Sequence, residues 1–325
     1  MLANIHARNR PGRAGETAEL SSAPLPAPLS AARFIDVHYH ADPDAYVRRH
    51  GALEAGGLYA EYGGWVVLKN HLGCTAAQSV EARRAGLPLS GSLVLNEIAG
   101  GIDWRVVERS LCQAGCQRGG QRGGQTGQQT GAGEARFIVH LPTVTGHPHR
   151  SRLSREPANP ILSRAPIRPL RVSGEDGALL PETLDVMRLC RDHPLVLSTG
   201  HADKEDVYRL IDAALALGVP RLMLNQPASP MTGFSARELI ELGAEPSLYI
   251  EQCALTYLLG YQSEEDFGAA LTGISNLVYS SDLGQPSQPD IEEWLALTEV
   301  WFRKFGLTDE RIDEITRANP LAMLT

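Results

Sequence analysis

Eight short, almost continuously apolar runs recur along the chain, and each ends in polar residues or glycine. They are Phe34–His38, Trp65–Lys69, Ser92–Asn96, Phe137–Leu141, Leu195–Thr199, Arg221–Asn225, Leu248–Glu251 and Leu277–Ser281. Short runs without polar alternation are typical of strands that are buried on both faces of a parallel sheet. The runs therefore predict a parallel sheet that is covered by other elements.

Helical patterns separate nearly all of these runs. They are Ala76–Ala85, Trp104–Ala114, Pro181–Arg191, Lys204–Leu217, Ser235–Leu242 and Glu264–Leu271, with a closing pair at Ile291–Phe305 and Asp309–Ala318. Parallel strands need crossover connections, which helices usually supply. Eight strand-and-helix units predict an α/β fold, a single-domain (β/α)8 TIM barrel. A doubly wound sheet is the alternative, but the first strand lacks the glycine-rich turn of nucleotide-binding sheets.

Two segments lie outside this pattern. Residues 1–32 are rich in Ala, Pro, Arg and Ser and have no apolar periodicity, so we expect a flexible N-terminal tail. Residues 116–134 are near-repeats of Gly, Gln, Arg and Thr, which predict a low-complexity insertion in a surface loop because they cannot build a core. We expect the barrel to span residues 33–325.

Composition narrows the class of partner. The net charge of -8 argues against a nucleic-acid surface, which requires a basic field. No apolar run is long enough to span a membrane, and residues 1–30 lack a signal-peptide core, so we expect a cytoplasmic protein. Five cysteines without CxxC spacing indicate reduced thiols. A small-molecule substrate, an anionic one included, is the expected partner, and a homo-oligomer stays open.

The carboxyl ends of barrel strands are where function collects. The first strand ends in His38-Tyr39-His40, and because side chains alternate along a strand, both imidazoles should leave the same face. Imidazole is a common ligand of zinc and iron, although two polar residues at a strand mouth would explain this motif alone. Further residues of ligand type follow the other strands: Lys69, His71, His140, His201, Asn225, Glu251 and Asp282.

This arrangement resembles the amidohydrolase superfamily of metal-dependent hydrolases. The family pattern is His-x-His on strand one, a carboxylate or carboxylated Lys on an intermediate strand, His on strands five and six, and Asp on strand eight. Residues that match are His38, His40, His201 and Asp282. The segments 67–71, 199–201 and 281–285, and the Asn-Pro pair at 319–320, look like an uncharacterised microbial branch of that superfamily.

The resemblance implies a divalent metal ion, with zinc favoured over manganese or iron. The implied ligands are His38, His40, His201, Asp282 and Lys69. Asn225 stands where the family has the strand-six histidine, which favours one ion over two. Lys69 lies on the second strand and not the fourth, so a carboxylated ligand, an anchor for a substrate carboxylate and an acid or base all remain open.

The implied reaction is hydrolysis of a small-molecule amide, cyclic amide or lactone by a metal-activated water. Asp282 would bind the metal and move the proton of the water, unless it only caps a helix. His201 would be a ligand or an electrophile, and Lys69 would also be catalytic. Residues that would orient a ligand or touch substrate are His71, His140, Asn225 and Glu251. A decarboxylase or isomerase on the same site, and a non-catalytic metal-containing binding barrel, are the alternatives.

Residues 144–172 are too long for a simple connection and predict an active-site loop. This segment contains six arginines: Arg150, Arg152, Arg155, Arg164, Arg168 and Arg171. Arginine suits carboxylate or phosphate groups, although a solvated loop is equally consistent with any one of them.

Overall fold

Parallel strands close into a barrel in the computed structural model, which describes residues 27–114, 135–147, 151–193 and 195–325. The strands in this part of the chain are β1 Phe34–His40, β2 Gly64–Lys69, β3 Leu89–Ser90, β4 Ser92–Val94, β5 Phe137–His140, β6 Leu195–Ser198, β7 Leu222–Leu224, β8 Leu248–Cys253 and β9 Leu277–Ser280. β3 pairs with β2 and β4 pairs with β5, and only Gly91 separates them, so together they form the third barrel strand. The fold is the predicted single-domain (β/α)8 TIM barrel.

Backbone hydrogen bonds between the last strand position and the first close the barrel. The amide of Asp282 donates to the carbonyl of His38 (2.8 Å), and the amide of His40 donates to the carbonyl of Leu283 (2.9 Å). Asp282 is therefore held beside the first strand by the closure itself. It does not cap a helix, because Asp290 is the N-cap residue of the next one.

Helices cover the outside of the barrel. They are α1 Ala52–Glu61, α2 Ala76–Arg84, α3 Trp104–Ala114, α4 Pro160–Arg164, α5 Pro181–Asp192, α6 Lys204–Leu217, α7 Ala236–Leu242, α8 Ala254–Leu258, α9 Glu264–Gly273, α10 Ile291–Lys304, α11 Asp309–Asp313 and α12 Asn319–Leu324. The predicted helix over 309–318 ends early, and a π-helical turn over 314–318 joins α11 to α12. None of the helices among the described residues is long and apolar enough to cross a lipid bilayer.

Helix α1 was not predicted because Gly56 and Gly57 lower its helix propensity. Gly56 nevertheless suits the packing, since a Cβ there would lie 3.2 Å from Cβ of Leu87, a tight contact. Helices α4 and α8 were also missed, and each has only five residues. Helix α4 begins with a local signal, the Asn159 cap followed by Pro160, whereas α8 has no side-chain cap and depends on the burial of Ala254 and Leu255.

The interior of the barrel has an apolar layer and, above it, a polar layer. Apolar side chains from strands around the barrel pack together, among them Val67, Ile138, Val196, Met223 and Val278. Two residues further along each strand, where side chains point to the same side, the chain places Lys69, His140, Ser198, Asn225 and Ser280, all buried. The polar layer thus lies at the carboxyl ends of the strands, as a barrel enzyme requires.

A β-bulge in β1 brings His38 into that layer. The register with β2 shifts between Asp36 and Tyr39, so Val37 packs in the interior while Tyr39, two residues later, packs outside against the helices. Strict alternation from Val37 would have turned His38 outward. The bulge makes Val37 and His38 both face inward, a common way of re-aiming side chains next to functional sites.

The end of the predicted tail belongs to the fold. A short 3₁₀-helix spans Leu29–Ala31, and Leu29 is 1% exposed and packs in the interior cluster with Met323 and Leu324. The tail prediction over 27–32 is therefore wrong, because a single apolar anchor leaves no periodicity in the sequence. Residues 1–26 and the predicted insertion at 116–134 lie outside the described residues.

Candidate metal centre

Three side chains converge at the carboxyl end of the barrel. Nε2 of His38 lies 3.3 Å from Nε2 of His40 and 3.0 Å from Oδ1 of Asp282, and Nε2 of His40 lies 3.3 Å from the same oxygen. The three residues are buried, with 0%, 3% and 7% of their surfaces exposed. The structure thus brings together the predicted His-x-His pair and the predicted strand-eight carboxylate.

His38 and His40 both turn Nε2 towards this centre. Nδ1 of His38 lies 2.8 Å from Oε1 of Glu251, and Nδ1 of His40 lies 3.1 Å from Oδ2 of Asp44. A carboxylate can only accept, so each Nδ1 carries a proton, and in the neutral form of each ring the lone pair of Nε2 points inward. Two such nitrogens and a carboxylate oxygen that face one another form a set that a cation between them would satisfy.

The spacing and electrostatics fit a divalent ion. Atoms bound at about 2.1 Å in a tetrahedral zinc site lie about 3.4 Å from one another. Although burial alone would lower the pKa of His38, the negative charges of Asp282 and Glu251 raise it above its usual value. The carboxyl of Asp282 shows the reverse: burial opposes ionisation, but His38 and His40 hold its pKa well below the usual range. The centre therefore favours positive charge.

A carboxylate that the sequence analysis missed supports His40. Asp44 is 2% exposed, and its Oδ2 lies 2.6 Å from Nη2 of Arg48 and 3.2 Å from Nδ1 of His71. Burial alone would raise the pKa of Asp44, but His71, His40 and Arg48 hold it well below the usual range. The signal in the sequence that predicts this contact is the position of Asp44, a carboxylate four residues after His40 and just beyond the strand.

His71 contacts this centre through its ring face. Its ring stacks on that of His40, with centroids 4.7 Å apart and planes 16° apart. Burial lowers the pKa of His71 to about 3, so the ring is neutral at ordinary pH. Its Nδ1 is turned towards Asp44 and Arg48, which makes His71 a support for His40.

Lys69 and Asn225 are paired in the polar layer. Nζ of Lys69 donates to Oδ1 of Asn225 at 2.8 Å, and both residues are buried. Burial lowers the pKa of Lys69, while the charges of Glu251 and Asp282 oppose that effect. The amide oxygen of Asn225 is thus occupied by the ammonium group, and its amide nitrogen has no partner among the described residues.

His140 is half satisfied. Its Nδ1 lies 2.8 Å from Oγ of Ser198, but its Nε2 is buried without a partner among the described residues. Its ring centroid is 6.3 Å from that of His38. A buried histidine with a purely structural role usually has partners for both ring nitrogens. The Nε2 of His140, which has none among the described residues, therefore favours a functional role in the polar layer.

His201 lies at the mouth of the site. A cavity of about 280 Å³ opens above the centre, and His40, His201 and Asp282 are among the residues that line it. Burial, followed by the charges of Lys69 and His71, lowers the pKa of His201 well below its usual value. Its ring lines the same cavity as His40 and Asp282, so the structure places it beside two of the predicted ligands.

Two residues of the site have left-handed backbone conformations. The φ angle is 54° at Asp282 and 47° at Gln226. Side chains other than glycine rarely adopt this region, at a cost of about 1–3 kcal/mol, and such residues cluster at functional sites. The two side chains meet, because Nε2 of Gln226 donates to Oδ2 of Asp282. Gln226 was not among the predicted site residues, since its orientation depends on this local backbone turn.

Cys253 lies beside the centre but on the outer side of the His38 ring. Its sulfur is 3.8 Å from Nδ1 of His38, the nitrogen that already contacts Glu251, and 3.3 Å from Oγ of Ser280. Burial and the charges of Glu251 and Asp282 raise the pKa of its thiol well above the usual value. Cys253, His38 and Asp282 nevertheless offer ligand atoms within 4.8 Å of one another, so the thiol is an alternative ligand that a metal ion would have to deprotonate.

The predicted active-site loop contributes one arginine to the cavity among its described residues, Arg155. Arg168 and Arg171 instead bind carboxylates, Glu97 and Asp203, at 3.3 and 3.1 Å. Arg152 donates to the carbonyls of residues 259 and 260. Arg150 lies outside the described residues.

Comparisons with solved structures find the same barrel. A mutant of an organophosphorus hydrolase is 15% identical, with a TM-score of 0.50, and the match covers 94% of this chain and 98% of that chain. An uncharacterised TIM-barrel protein from Bordetella bronchiseptica is 11% identical, with a TM-score of 0.52, and covers 89% and 97%. At such identities the likeness establishes the fold, which agrees with the architecture that the amidohydrolase resemblance implied.

Sequence comparison identifies a family. No functionally curated protein matches the chain. The profile of the Family of unknown function (DUF6282) matches residues 33–251, from the start of the first strand to Glu251 in the seventh barrel strand. The chain therefore belongs to the Family of unknown function (DUF6282).

Proposed function

We propose that this protein is a metal-dependent hydrolase that acts on a small-molecule amide, cyclic amide or lactone and uses one divalent ion, zinc in the first place. The observation that carries the proposal is the convergence of two imidazole lone pairs and one carboxylate oxygen within 3.0–3.3 Å of one another at the floor of a cavity. A divalent ion at this position would lower the pKa of water and polarise a substrate oxygen. Three protein ligands with an open side are typical of catalytic zinc sites.

The residues around the trio have defined roles in this proposal. Oδ1 of Asp282 faces the centre, and Oδ2 accepts a hydrogen bond from the side-chain amide of Gln226. Oδ2 is the atom that would accept a proton from the attacking water and pass it to the leaving group. Glu251 and Asp44 keep His38 and His40 in the required tautomer. His201, neutral and facing the cavity, would donate a hydrogen bond to the oxygen on which negative charge develops.

The pairing of Lys69 with Asn225 supports a single ion. Two-metal members of the resembled superfamily use a strand-six histidine, and here Asn225 directs its oxygen to the ammonium group of Lys69 at 2.8 Å. An amide oxygen is a weaker ligand than imidazole for zinc-like ions, and this one is already engaged. We therefore expect about one zinc ion per chain.

Metal analysis tests the proposal. Purified full-length protein should contain about one equivalent of zinc by mass spectrometry, and His40→Gln and Asp282→Asn should each lose most of it. His193→Gln, a histidine outside the cavity, is the matched control and should keep its zinc. Circular dichroism should show that all variants fold. Retained zinc in both site variants would exclude this centre.

Hydrolysis is tested separately. A panel of small lactones, cyclic amides and amides should include substrates that the zinc-loaded protein hydrolyses, and chelation should abolish the reaction. Reaction in ¹⁸O-labelled water should place the label in the product. Turnover without the label would indicate a decarboxylase or isomerase, and ligand binding without turnover would indicate a non-catalytic barrel.

A further inference from the structure

Arg155 differs from Arg48, the other arginine that lines the cavity, because no carboxylate of the described residues pairs with it. Arg48, which also lines the cavity, lies 2.6 Å from Asp44. Arg155 has one described interaction, with its guanidinium 5.3 Å from the ring centroid of Tyr46, and no carboxylate of the described residues is within ion-pair distance. An uncompensated guanidinium beside a cavity is the usual partner of an anionic ligand group.

The rest of the cavity wall agrees with an anionic ligand. Among its described lining residues, Asp282 has the only carboxylate, and that group faces His38 and His40. Arg155 is also close enough to His201 that its charge is one of the smaller contributions to the lowered pKa of that ring, after burial and Lys69. The outer cavity thus presents positive charge and hydroxyl groups to a ligand.

The loop that carries Arg155 is held in place on both sides. On one side its backbone pairs with the loop after β1. The amide of Val47 donates to the carbonyl of Glu156 (2.9 Å), and the amide of Ala158 donates to the carbonyl of Ala45 (3.0 Å). On the other side Nη1 of Arg152 donates to the carbonyls of Leu259 (2.6 Å) and Gly260 (2.9 Å). Arg155 lies between these anchors, so the backbone that carries it is held beside the cavity while its side chain stays exposed to ligands from solvent.

Aromatic contacts connect Arg155 to the metal centre. The ring of Tyr46 meets the ring of His71 edge to face, with centroids 5.6 Å apart, and His71 stacks on His40. The guanidinium lies over the ring of Tyr46, and no acceptor among the described residues takes its N–H groups. A planar fork of N–H donors matches the two oxygens of a carboxylate.

We propose that Arg155 anchors a carboxylate group of the substrate, so that the site takes small molecules that carry a carboxylate in addition to the bond that is attacked. The substrate class rests on the proposed function, but the anion subsite itself can be tested by binding alone.

Binding of matched probes tests the subsite. Zinc-loaded wild type, Arg155→Gln and Arg168→Gln would be titrated calorimetrically with succinate, glutarate and adipate, and with the neutral diamide glutaramide. Loss of one charge-assisted pair should weaken the best dicarboxylate at least about tenfold in Arg155→Gln. Arg168→Gln, an arginine of the same loop that binds Glu97 away from the cavity, should change it less than about twofold. Glutaramide binding should be the same in all three proteins.

Several results would overturn the inference. Equal dicarboxylate affinity in wild type and Arg155→Gln would show that Arg155 contacts no ligand carboxylate, and so would the absence of measurable binding for the whole dicarboxylate series. Weakening of inorganic phosphate binding alone would assign the subsite to a phosphoryl group and not to a carboxylate.

Kinetic measurements distinguish failure of the carboxylate subsite from failure of the proposed hydrolase function. If no substrate is hydrolysed but dicarboxylate binding still depends on Arg155, the hydrolase proposal fails and the subsite stands. If lactones are hydrolysed, Arg155→Gln should raise KM for 5-oxooxolane-2-carboxylate about tenfold and leave lactone-ring opening of its methyl ester unchanged. Equal effects on both substrates would retain the hydrolase and reject the subsite.

Discussion

Single residues in this protein gain their chemical roles from buried neighbours. His38 and His40 would be ordinary strand-end histidines without Glu251 and Asp44, which fix the nitrogen that each ring turns to the centre. Pairs such as Lys69 with Asn225 satisfy part of the polar layer, while Nε2 of His140 and the side-chain nitrogen of Asn225 have no partner among the described residues. Since a buried polar group without a partner is costly, these pairs also limit which substitutions the barrel tolerates.

Glu251→Gln should weaken zinc binding about 10- to 100-fold while the barrel stays folded. Glu251 accepts from Nδ1 of His38, from Oγ of Ser280 and from the amide of Gln226, and glutamine has the same size but lacks the charge and one acceptor oxygen. Competition with a chromophoric chelator measures the affinity. Glu245→Gln, which alters a hydrogen bond to Ser247 outside the cavity, is the control. Unchanged zinc affinity in Glu251→Gln would contradict the orienting role.

Asn225→His should raise zinc binding from about one ion towards two. The new imidazole would stand near Lys69 and could act with His201, and Nε2 of His140 is a further ligand atom that has no partner among the described residues. Zinc titration of wild type and variant gives the two stoichiometries. Two tightly bound ions already present in wild type would show that other residues, His71 or His140 first, complete a second site.

At the scale of elements, the turn between β6 and α6 places His201. Gly200 has a φ of 59°, and a Cβ there would overlap the carbonyl oxygens of Leu141 and Pro142. The amide of His201 donates to the carbonyl of Pro142 at 2.9 Å, so the two loops are bound together at this point. This close approach to the loop after β5 explains why glycine precedes His201.

Gly200→Ala should lower the free energy of unfolding by about 3 kcal/mol or more, since left-handed strain adds to steric overlap with backbone. Gly218→Ala is the matched control, because Gly218 has a similar φ of 72° but no atom within 4 Å of the added Cβ. It should lose only about 1 kcal/mol from strain. Urea denaturation measures both. Equal losses would show that conformation alone, without close approach, explains the glycine.

At the scale of the whole molecule, the eight barrel strands share one interior. Its polar layer, at the carboxyl ends of the strands, contains Lys69, His140 and Asn225. The two closing hydrogen bonds between residues 282–283 and β1 bring the beginning and the end of the barrel sequence together. Because the trio spans this closure, metal binding should stabilise the barrel as a unit.

Deletion of residues 117–133 should leave zinc content unchanged and the free energy of unfolding within about 1 kcal/mol of the full chain. The prediction rests on composition, since this segment has little to bury, and the shortened connection between Ala114 and Phe137 would have an ordinary length for a helix-to-strand loop. Urea denaturation and metal analysis measure both quantities. Insoluble or zinc-free protein would show that the segment packs on the barrel or mediates assembly.

Local sequence patterns determined most of the barrel and its chemistry. Apolar runs located the strands because burial on both faces demands them, and the residues that follow each run, such as His140 and His201, are where the barrel places its polar layer. Only the tertiary structure decided which atoms meet. The bulge that turns His38 inward, the approach of Glu251 to Nδ1 of His38, and the left-handed turn that brings Gln226 to Asp282 all depend on contacts between segments far apart in the sequence. Such contacts have no period in the sequence, and their geometry exists only when the strands have closed into a barrel.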